Sequence, residues 1–204
     1  MARRPSRRSR TRGYTVIEVL VAISLLIIAS SGIAALQKIT VQGNGHARET
    51  ATASQLARTW VERLRTDATS WNYSTASGVA SDIGQTTWLS NVDTQPMTWF
   101  VPTAAALGSP GFDLQGNDIA AGNLARAFYC THVRLAWMFP QEVIRAEVRV
   151  LWQRPQATGN FPAGGPCAPT QVVANFDNPL MSPLASYNFV YVTSSILRNK
   201  PALQ

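Results

Sequence analysis

Side chains that could hold a metal ion or transfer a proton are few in this chain of 204 residues. The two histidines, His46 on a predicted helix and His132 on a predicted strand, are far apart in sequence and have no ligand cluster beside them. Both are expected to be structural. Asp113, Asn117 and Asp118 offer oxygen ligands for calcium, but their spacing fits no complete calcium loop and favours a solvated turn. Nucleophile-elbow, phosphate-loop, zinc and dinucleotide motifs are missing from the sequence. We therefore expect no enzymatic activity, no cofactor and no metal site.

The only two cysteines are the remaining reactive pair, Cys130 and Cys167. An even pair in a segment that is expected to be exported indicates one disulfide, formed in an oxidising compartment. Closing that loop would restrict the unfolded chain by about 4 kcal/mol in the loop-entropy model. The alternative is two buried, reduced thiols in a cytosolic protein.

The charges of the chain are unevenly placed. Of 18 basic residues six precede Tyr14, so 12 remain against 11 acidic residues in the rest of the chain. A nearly neutral body lacks the basic, aromatic-rich patch that a nucleic-acid-binding surface requires. Nucleic-acid binding is therefore not expected. The six early residues are Arg3, Arg4, Arg7, Arg8, Arg10 and Arg12.

An apolar segment begins where the arginines end. The 23 residues from Tyr14 to Leu36 contain one charged side chain, Glu18. As a helix they would span about 35 Å, which is enough for a hydrocarbon core of about 30 Å. Because the arginines flank one side only, the N-terminus is predicted to stay cytoplasmic and everything after Leu36 to lie outside.

Glu18 discriminates between the possible kinds of N-terminal segment. A carboxylate in a membrane helix costs about 2.5 to 3.5 kcal/mol on insertion scales, so a plain membrane anchor would not be expected to keep one. A secretory signal stays open as an alternative, because Ala29, Ser30 and Ser31 offer small residues for a signal peptidase. Twin-arginine export is disfavoured, because Arg8 is followed by polar residues.

The stretch Gly13 to Ala22, which reads GYTVIEVLVA, resembles the cleavage junction of type IV prepilins. Tyr14 stands where Phe is usual in that family and Val16 where Leu is usual. The resemblance implies that a prepilin peptidase cuts after Gly13, that Tyr14 becomes the methylated N-terminus, and that Glu18 is the fifth mature residue. The new amine could neutralise the buried carboxylate and set the register between neighbouring subunits.

A second helical stretch follows the apolar one. Apolar residues recur there at helical spacing on one face, with Arg58, Glu62 and Arg65 on the other. Gly43, Asn44 and Gly45 interrupt the pattern and predict a kink or local loosening. The apolar positions are Ala53, Leu56, Ala57, Trp60, Val61 and Leu64.

Strand patterns come later in the chain. Apolar residues alternate with mostly polar ones over residues 144–152, which predicts a strand with one buried face. Residues 133–139 alternate in the same way before them, and Pro140-Gln141 marks the turn of a predicted β-hairpin. A third strand is predicted over residues 187–198, whereas residues 71–123 are expected to be mostly loop. A connection as long as residues 154–186 needs a contact that holds it to the rest of the domain. A Cys130–Cys167 disulfide would provide one, and it would resemble the disulfide-bounded C-terminal region of pilins.

The predicted fold class is α+β, a pilin fold in which a long N-terminal helix packs on an antiparallel sheet. We expect residues 1–13 to be a cleaved leader, 14–36 the membrane and assembly half of the helix, 37–66 its amphipathic half, and 67–204 the globular head.

The family resemblance is closest to a PilV-type minor pilin, and it implies a structural subunit that helps to prime pilus assembly. Its implied partners are the prepilin peptidase, other minor pilins, the major pilin and an inner-membrane assembly platform. The head would be periplasmic before it enters the fibre. Two alternatives stay open: a pseudopilin of a type II secretion or DNA-uptake system, and a pilus-tip adhesin.

Overall fold

One helix, α1, runs from Val16 to Asp67 in the computed structural model, which describes residues 15–72, 82–154, 167, 173 and 187–199. The chain divides into two compact units, Met1–Ala47 and Arg48–Gln204, and α1 contributes to both. Helical structure is continuous through residues 43–45, where the sequence predicts a kink or local loosening. A Cβ atom at Gly43 or Gly45 would meet nothing within 4 Å. These glycines therefore cost helix propensity, about 1 kcal/mol each, without breaking the helix.

Within the second unit, α1 packs one face into the core. The six apolar residues that the sequence placed on this face are all buried, which confirms the predicted amphipathic stretch. Trp60 is fully buried, and its ring centroid lies 4.8 Å from that of Trp88. Fully burying a side chain of this kind stabilises a fold by about 2 to 3 kcal/mol before cavity effects are counted.

The core of the second unit lies between α1 and an antiparallel sheet. Its long strands are β3 (Tyr129–Phe139), β4 (Val143–Gln153) and β5 (Tyr187–Leu197), and two-residue strands β1 (Trp99–Phe100) and β2 (Gly111–Phe112) both pair with β3. The sheet order is β1-β3-β4-β5. The predicted hairpin and third strand are therefore confirmed, as is the α+β fold class.

Alternation along β4 decides which side chains reach the helix. Ile144, Ala146, Val148, Val150 and Trp152 are all buried in the main core, as a period of two on one sheet face requires. The opposite face of β4 is also largely covered, since Glu147, Arg149 and Leu151 are buried. The sequence predicted only one buried face.

The β3–β4 turn departs from simple alternation. The register shifts between Trp137 and Phe139, so Met138 is an extra residue on its strand. Gln141 adopts φ 62°, and the Glu142 amide donates to the Phe139 carbonyl at 3.1 Å. The bulge turns Phe139 to solvent, although alternation placed it with the buried residues.

Residues 82–127 have little regular structure, as predicted, but they supply much of the core. They contain a four-residue helix, α2 (Asn91–Thr94), and short 3-10 turns at Ile83–Gln85 and Ala121–Arg126. A further 3-10 turn, Ala68–Ser70, follows α1. The core side chains from this region are Ile83, Trp88, Leu89, Val92, Phe100 and Phe112.

The segment that follows α1 meets the segment that follows β5. Asn72 and Asn199 form a parallel bridge, and the Asn199 amide donates to the Trp71 carbonyl at 3.0 Å. The Arg198 guanidinium donates to the Asn72 carbonyl, at 2.8 Å from Nη2, and lies over the Trp71 ring. The backbone that leaves the helix is thus fastened to the backbone that leaves the sheet.

Candidate functional site

The first part of α1 is apolar and exposed. It is the one helix in the described part of the chain that is long and apolar enough to cross a membrane, and none of its most apolar stretch is buried. A soluble domain would not be expected to leave so much contiguous apolar surface in water. The exposed large apolar residues are Val16, Ile17, Val19, Leu20, Val21, Ile23, Leu25, Leu26, Ile27, Ile28, Ile33, Leu36, Ile39 and Val41.

Hydroxyl side chains within this stretch bond back to the helix. Ser24 donates to the Leu20 carbonyl at 2.9 Å, and Ser30 donates to the Ile27 carbonyl at 2.9 Å. Ser31 and Thr40 make the same kind of bond one turn back. Because every such donor is satisfied within the helix, these hydroxyls can enter an apolar environment without an external partner.

Glu18 stands in the first turn of α1 and is exposed. Its amide donates to the Thr15 carbonyl at 3.0 Å, which starts the helix. No other charged residue occurs between Thr15 and Gln37. A carboxylate here is favoured by the partial positive charge of the helix N-terminus. The predicted cleavage residues Gly13 and Tyr14 lie outside the described residues.

Cys130 and Cys167 form a disulfide, as predicted, with their Cα atoms 5.2 Å apart. Both are buried with Ala127 in a small apolar cluster. Gly111, which pairs with Cys130 across β2 and β3, touches this cluster: a Cβ there would come within 3.0 Å of the Ala127 Cβ. The disulfide thus fastens one residue of segment 154–186 to a sheet strand.

Cationic and aromatic groups gather on the sheet face opposite α1. The Trp99 ring lies against two guanidinium groups, with Arg149 Cζ 4.2 Å and Arg134 Cζ 4.8 Å from its centroid. Arg149 Nε donates to His132 Nδ1 at 3.3 Å. His132 is on a strand, as predicted, and is fully buried. This cluster could not be predicted from the sequence, because its members come from three strands that only the fold brings together.

Glu147 is the carboxylate of this face, and it is almost fully buried. Arg134 and Arg145 both form ion pairs with it. Burial alone would raise the pKa of Glu147, but hydrogen bonds from Arg145, Arg134 and Tyr191 outweigh burial and hold that pKa below its ordinary value. The carboxylate is therefore kept ionised and serves as an anchor between β3, β4 and β5.

The Asn117 side-chain amide donates to Asp113 Oδ2 at 2.9 Å, whereas Asp118 has a different partner. Asp113 Oδ1 accepts from the amides of Gln115 and Asn117, at 2.9 and 2.8 Å, which makes a turn closed by its own side chain. These bonds, with that from the Asn117 side chain as the largest cause, lower the pKa of Asp113. Asp118 instead pairs with Arg63 at 2.6 Å. The favoured solvated turn is what the structure shows.

Asp67, at the end of α1, was not singled out from the sequence. It is buried, and its carboxylate accepts three backbone hydrogen bonds, from Thr87 at 2.7 Å, Trp88 at 2.8 Å and Leu89 at 3.0 Å. An acidic residue at a helix C-terminus is opposed by the helix dipole, so it needs donors from elsewhere. That mismatch is a sequence signal that could have identified it.

Within the described ranges, no group of three or more histidines, cysteines or acidic residues could hold a metal ion. His46 lies on α1, as predicted, and is exposed. The features of the described residues are therefore a long apolar helix, a disulfide and a charged sheet face.

Comparisons with family models, with curated proteins and with solved structures find no match for this chain. The architecture itself is pilin-like: a long N-terminal apolar helix is packed on an antiparallel sheet, with a disulfide in the C-terminal region.

Proposed function

We propose that this protein is a minor pilin, a structural subunit that joins or primes a type IV pilus. One observation carries the proposal: a single helix is apolar and exposed from Val16 to Val41 but packs into the core of the second unit from Ala53 to Asp67. A helix of this kind can be held by a bilayer, or by other such helices, at one end while it carries a folded head at the other. The proposed output is assembly, not catalysis.

The N-terminal chemistry follows from the proposal. A prepilin peptidase would cut after Gly13, and the methylated amine of Tyr14 would lie near or beside the Glu18 carboxylate of a neighbouring helix. That pairing offsets the cost of holding the carboxylate in an apolar environment. The proposed partners are therefore the peptidase, an inner-membrane assembly platform, and the helices of other minor pilins and of the major pilin, with the head in the periplasm.

Mass spectrometry of the mature N-terminus tests this proposal directly. Cells that contain the prepilin peptidase should yield a chain beginning at Tyr14, and cells without it should accumulate the precursor. A chain that begins near Gly32, as a secretory signal would give, or one that keeps Met1 in both strains, would refute the proposal.

Two substitutions separate processing from insertion. Gly13→Leu should leave full-length precursor in the membrane, because a bulky side chain obstructs the peptidase. Gly32→Leu is its matched control, since a Cβ at Gly32 meets nothing within 4 Å, and this variant should be trimmed normally. Glu18→Val should insert and be cleaved but should enter fibres poorly. Normal incorporation of that variant would remove the assembly role from Glu18.

A pseudopilin of a type II secretion or DNA-uptake system would use the same helix and the same processing. Deletion of the gene distinguishes the machines: loss of surface fibres supports the pilus, whereas retained fibres with loss of secretion or DNA uptake supports the pseudopilus.

A further inference from the structure

The sheet face opposite α1 is partly exposed along β5. Phe189 and Tyr191 pair with residues of β4 that point away from α1, and cross-strand partners share a face. Phe189 is 51% exposed and Tyr191 is 45% exposed. Residues two apart on a strand are separated by about 7 Å, so these rings form a short row on the surface. Thr193 and Ser195 continue the row and are also exposed.

Three arginines and one glutamate share this face. They are the acidic and basic residues of the five strands in the described ranges, namely Arg134, Arg145, Arg149 and Glu147. Outside the described ranges the sequence has one further acidic residue, Asp177. The strand cations therefore outnumber the anions wherever that residue lies, and the face has a net positive charge.

Arg145 is the most accessible of the three cations. It is bonded to Glu147 through Nη2, and its side chain is 51% exposed. Arg134 bonds to the other oxygen of the same carboxylate, and its side chain is 32% exposed. Both oxygens of Glu147 are thus engaged, whereas the Arg145 guanidinium has N–H groups beyond the one that Glu147 accepts. A second carboxylate, supplied by a partner, could accept from those groups.

Aromatic rings border the exposed cations. The Trp99 ring centroid lies 6.1 Å from that of Tyr191, and Arg134 Cζ lies 4.8 Å from the Trp99 centroid. Tyr191 also forms hydrogen bonds with Arg145 and Glu147. Each of these five side chains contacts two others, so the surface is already arranged before a ligand arrives, which lowers the entropy cost of binding.

The groups on this face select the kind of partner. The backbone of β4 is engaged by β3 and β5, so the face offers side chains only. Peptides are instead recognised mainly at sheet edges and in grooves. Exposed rings fit the C–H faces of sugars, hydroxyl groups fit their hydroxyls, and a guanidinium fits a carboxylate. An acidic sugar chain presents all three of these features.

We propose that the sheet face opposite α1 binds an acidic polysaccharide whose sugar rings carry carboxylates. One carboxylate would pair with Arg145, while neighbouring sugar rings would pack on Tyr191 and Phe189. This binding activity is additional to assembly, and it does not depend on the N-terminal processing proposed above.

Titration calorimetry on the purified full chain tests the inference, in micelles of a detergent without a sugar headgroup. The probe is an oligomer of galacturonic acid. A maltooligosaccharide of the same length is the neutral control with sugar rings, and an oligoglutamate of the same length is the acidic control without them. We expect the galacturonate oligomer to bind about tenfold more tightly than either control.

Two substitutions with matched controls locate the site. Arg145→Gln should weaken binding about tenfold, whereas Arg65→Gln, which removes a side chain on α1 that is 52% exposed, should leave it unchanged. Phe189→Ser should weaken binding about fivefold, and its control is Leu114→Ser, in a turn outside the sheet. Because Phe189 is half exposed, its variant should keep the unfolding midpoint of the wild type, and it decides the test if Arg145→Gln does not fold.

Four results would overturn the proposal. One is that the galacturonate oligomer does not bind. Equal binding of the maltooligosaccharide would remove the carboxylate pairing, and equal binding of the oligoglutamate would assign the face to an acidic peptide. Wild-type affinity in folded Arg145→Gln or Phe189→Ser would place the site elsewhere. Cleavage after Gly13 is unaffected by each of these results, so failure here is distinguishable from failure of the proposed function.

Discussion

Replacing Asp67 with asparagine should destabilise the second unit strongly. The buried carboxylate accepts backbone hydrogen bonds from Thr87, Trp88 and Leu89. A hydrogen bond to a charged group contributes about 1.5 to 3 kcal/mol, and a buried donor left unpaired costs about 1 to 3 kcal/mol. The amide of Asn keeps one oxygen acceptor but turns an NH2 group toward a backbone N–H.

We therefore expect Asp67→Asn to lower the free energy of unfolding by about 3 to 5 kcal/mol, because part of the gross loss is offset by the carboxylate's own desolvation. Urea unfolding of the full chain in detergent micelles measures the change. Tryptophan fluorescence reports it, since Trp60 and Trp88 are both fully buried.

Glu62→Gln is the matched control on the same helix. Glu62 forms an exposed pair with Arg65 at 2.6 Å, and such pairs contribute at most about 0.5 kcal/mol. If the Asp67 variant lost no more stability than this control, the three amide bonds would not be what holds the end of α1 to residues 87–89.

The disulfide, the ionised carboxylate and one glycine give three further predictions. Replacing Cys130 and Cys167 together with alanine should lower the free energy of unfolding by about 4 kcal/mol, because the disulfide closes a separation of 37 residues. Urea unfolding measures the loss, and added reductant should not change the stability of the variant further. The pKa of Glu147 is lowered in the folded protein from the ordinary value of 4.5, so its stabilising contribution is present above that value and is lost as pH falls toward the folded pKa. The melting temperature of Glu147→Gln should therefore fall less between pH 7 and pH 4 than that of the wild type, and equal slopes would contradict the stated ion pairs. Gly108→Ala should cost about 1 to 3 kcal/mol in thermal unfolding, because φ is +145° and the added Cβ would overlap a guanidinium group, whereas Gly84→Ala, with open space around it, should be near neutral.

Periodicity made the regular elements predictable. The buried face of α1 and the three long strands follow from spacings of 3.6 and 2, which depend on neighbours in the sequence alone. The bulge that exposes Phe139 could not be read this way, because a single inserted residue is compatible with either alternation until its partner strand is known.

Long-range polar contacts were the part that sequence could not supply. Trp99, Arg134 and Arg149 come from three different strands, and Asp67 bonds to amides about twenty residues away. No local pattern links such residues, since each contact is created by packing of distant segments. The glycines near the middle of α1 show that a local signal can also be overridden. Their low helix propensity favours loosening, but helix formation on both sides of them outweighs it.

The bridge between Asn72 and Asn199 affects the order in which the second unit can fold. Its neighbouring contact, from Arg198 to Asn72, joins residues 126 positions apart. Contacts of such high contact order form late, because the loop entropy of the whole intervening chain is lost before they form. The β3–β4 hairpin can fold as soon as it is made, but the unit closes only after its last strand arrives. A chain that is cut short before Arg198 would therefore lack this closure and stay open to proteases where α1 ends.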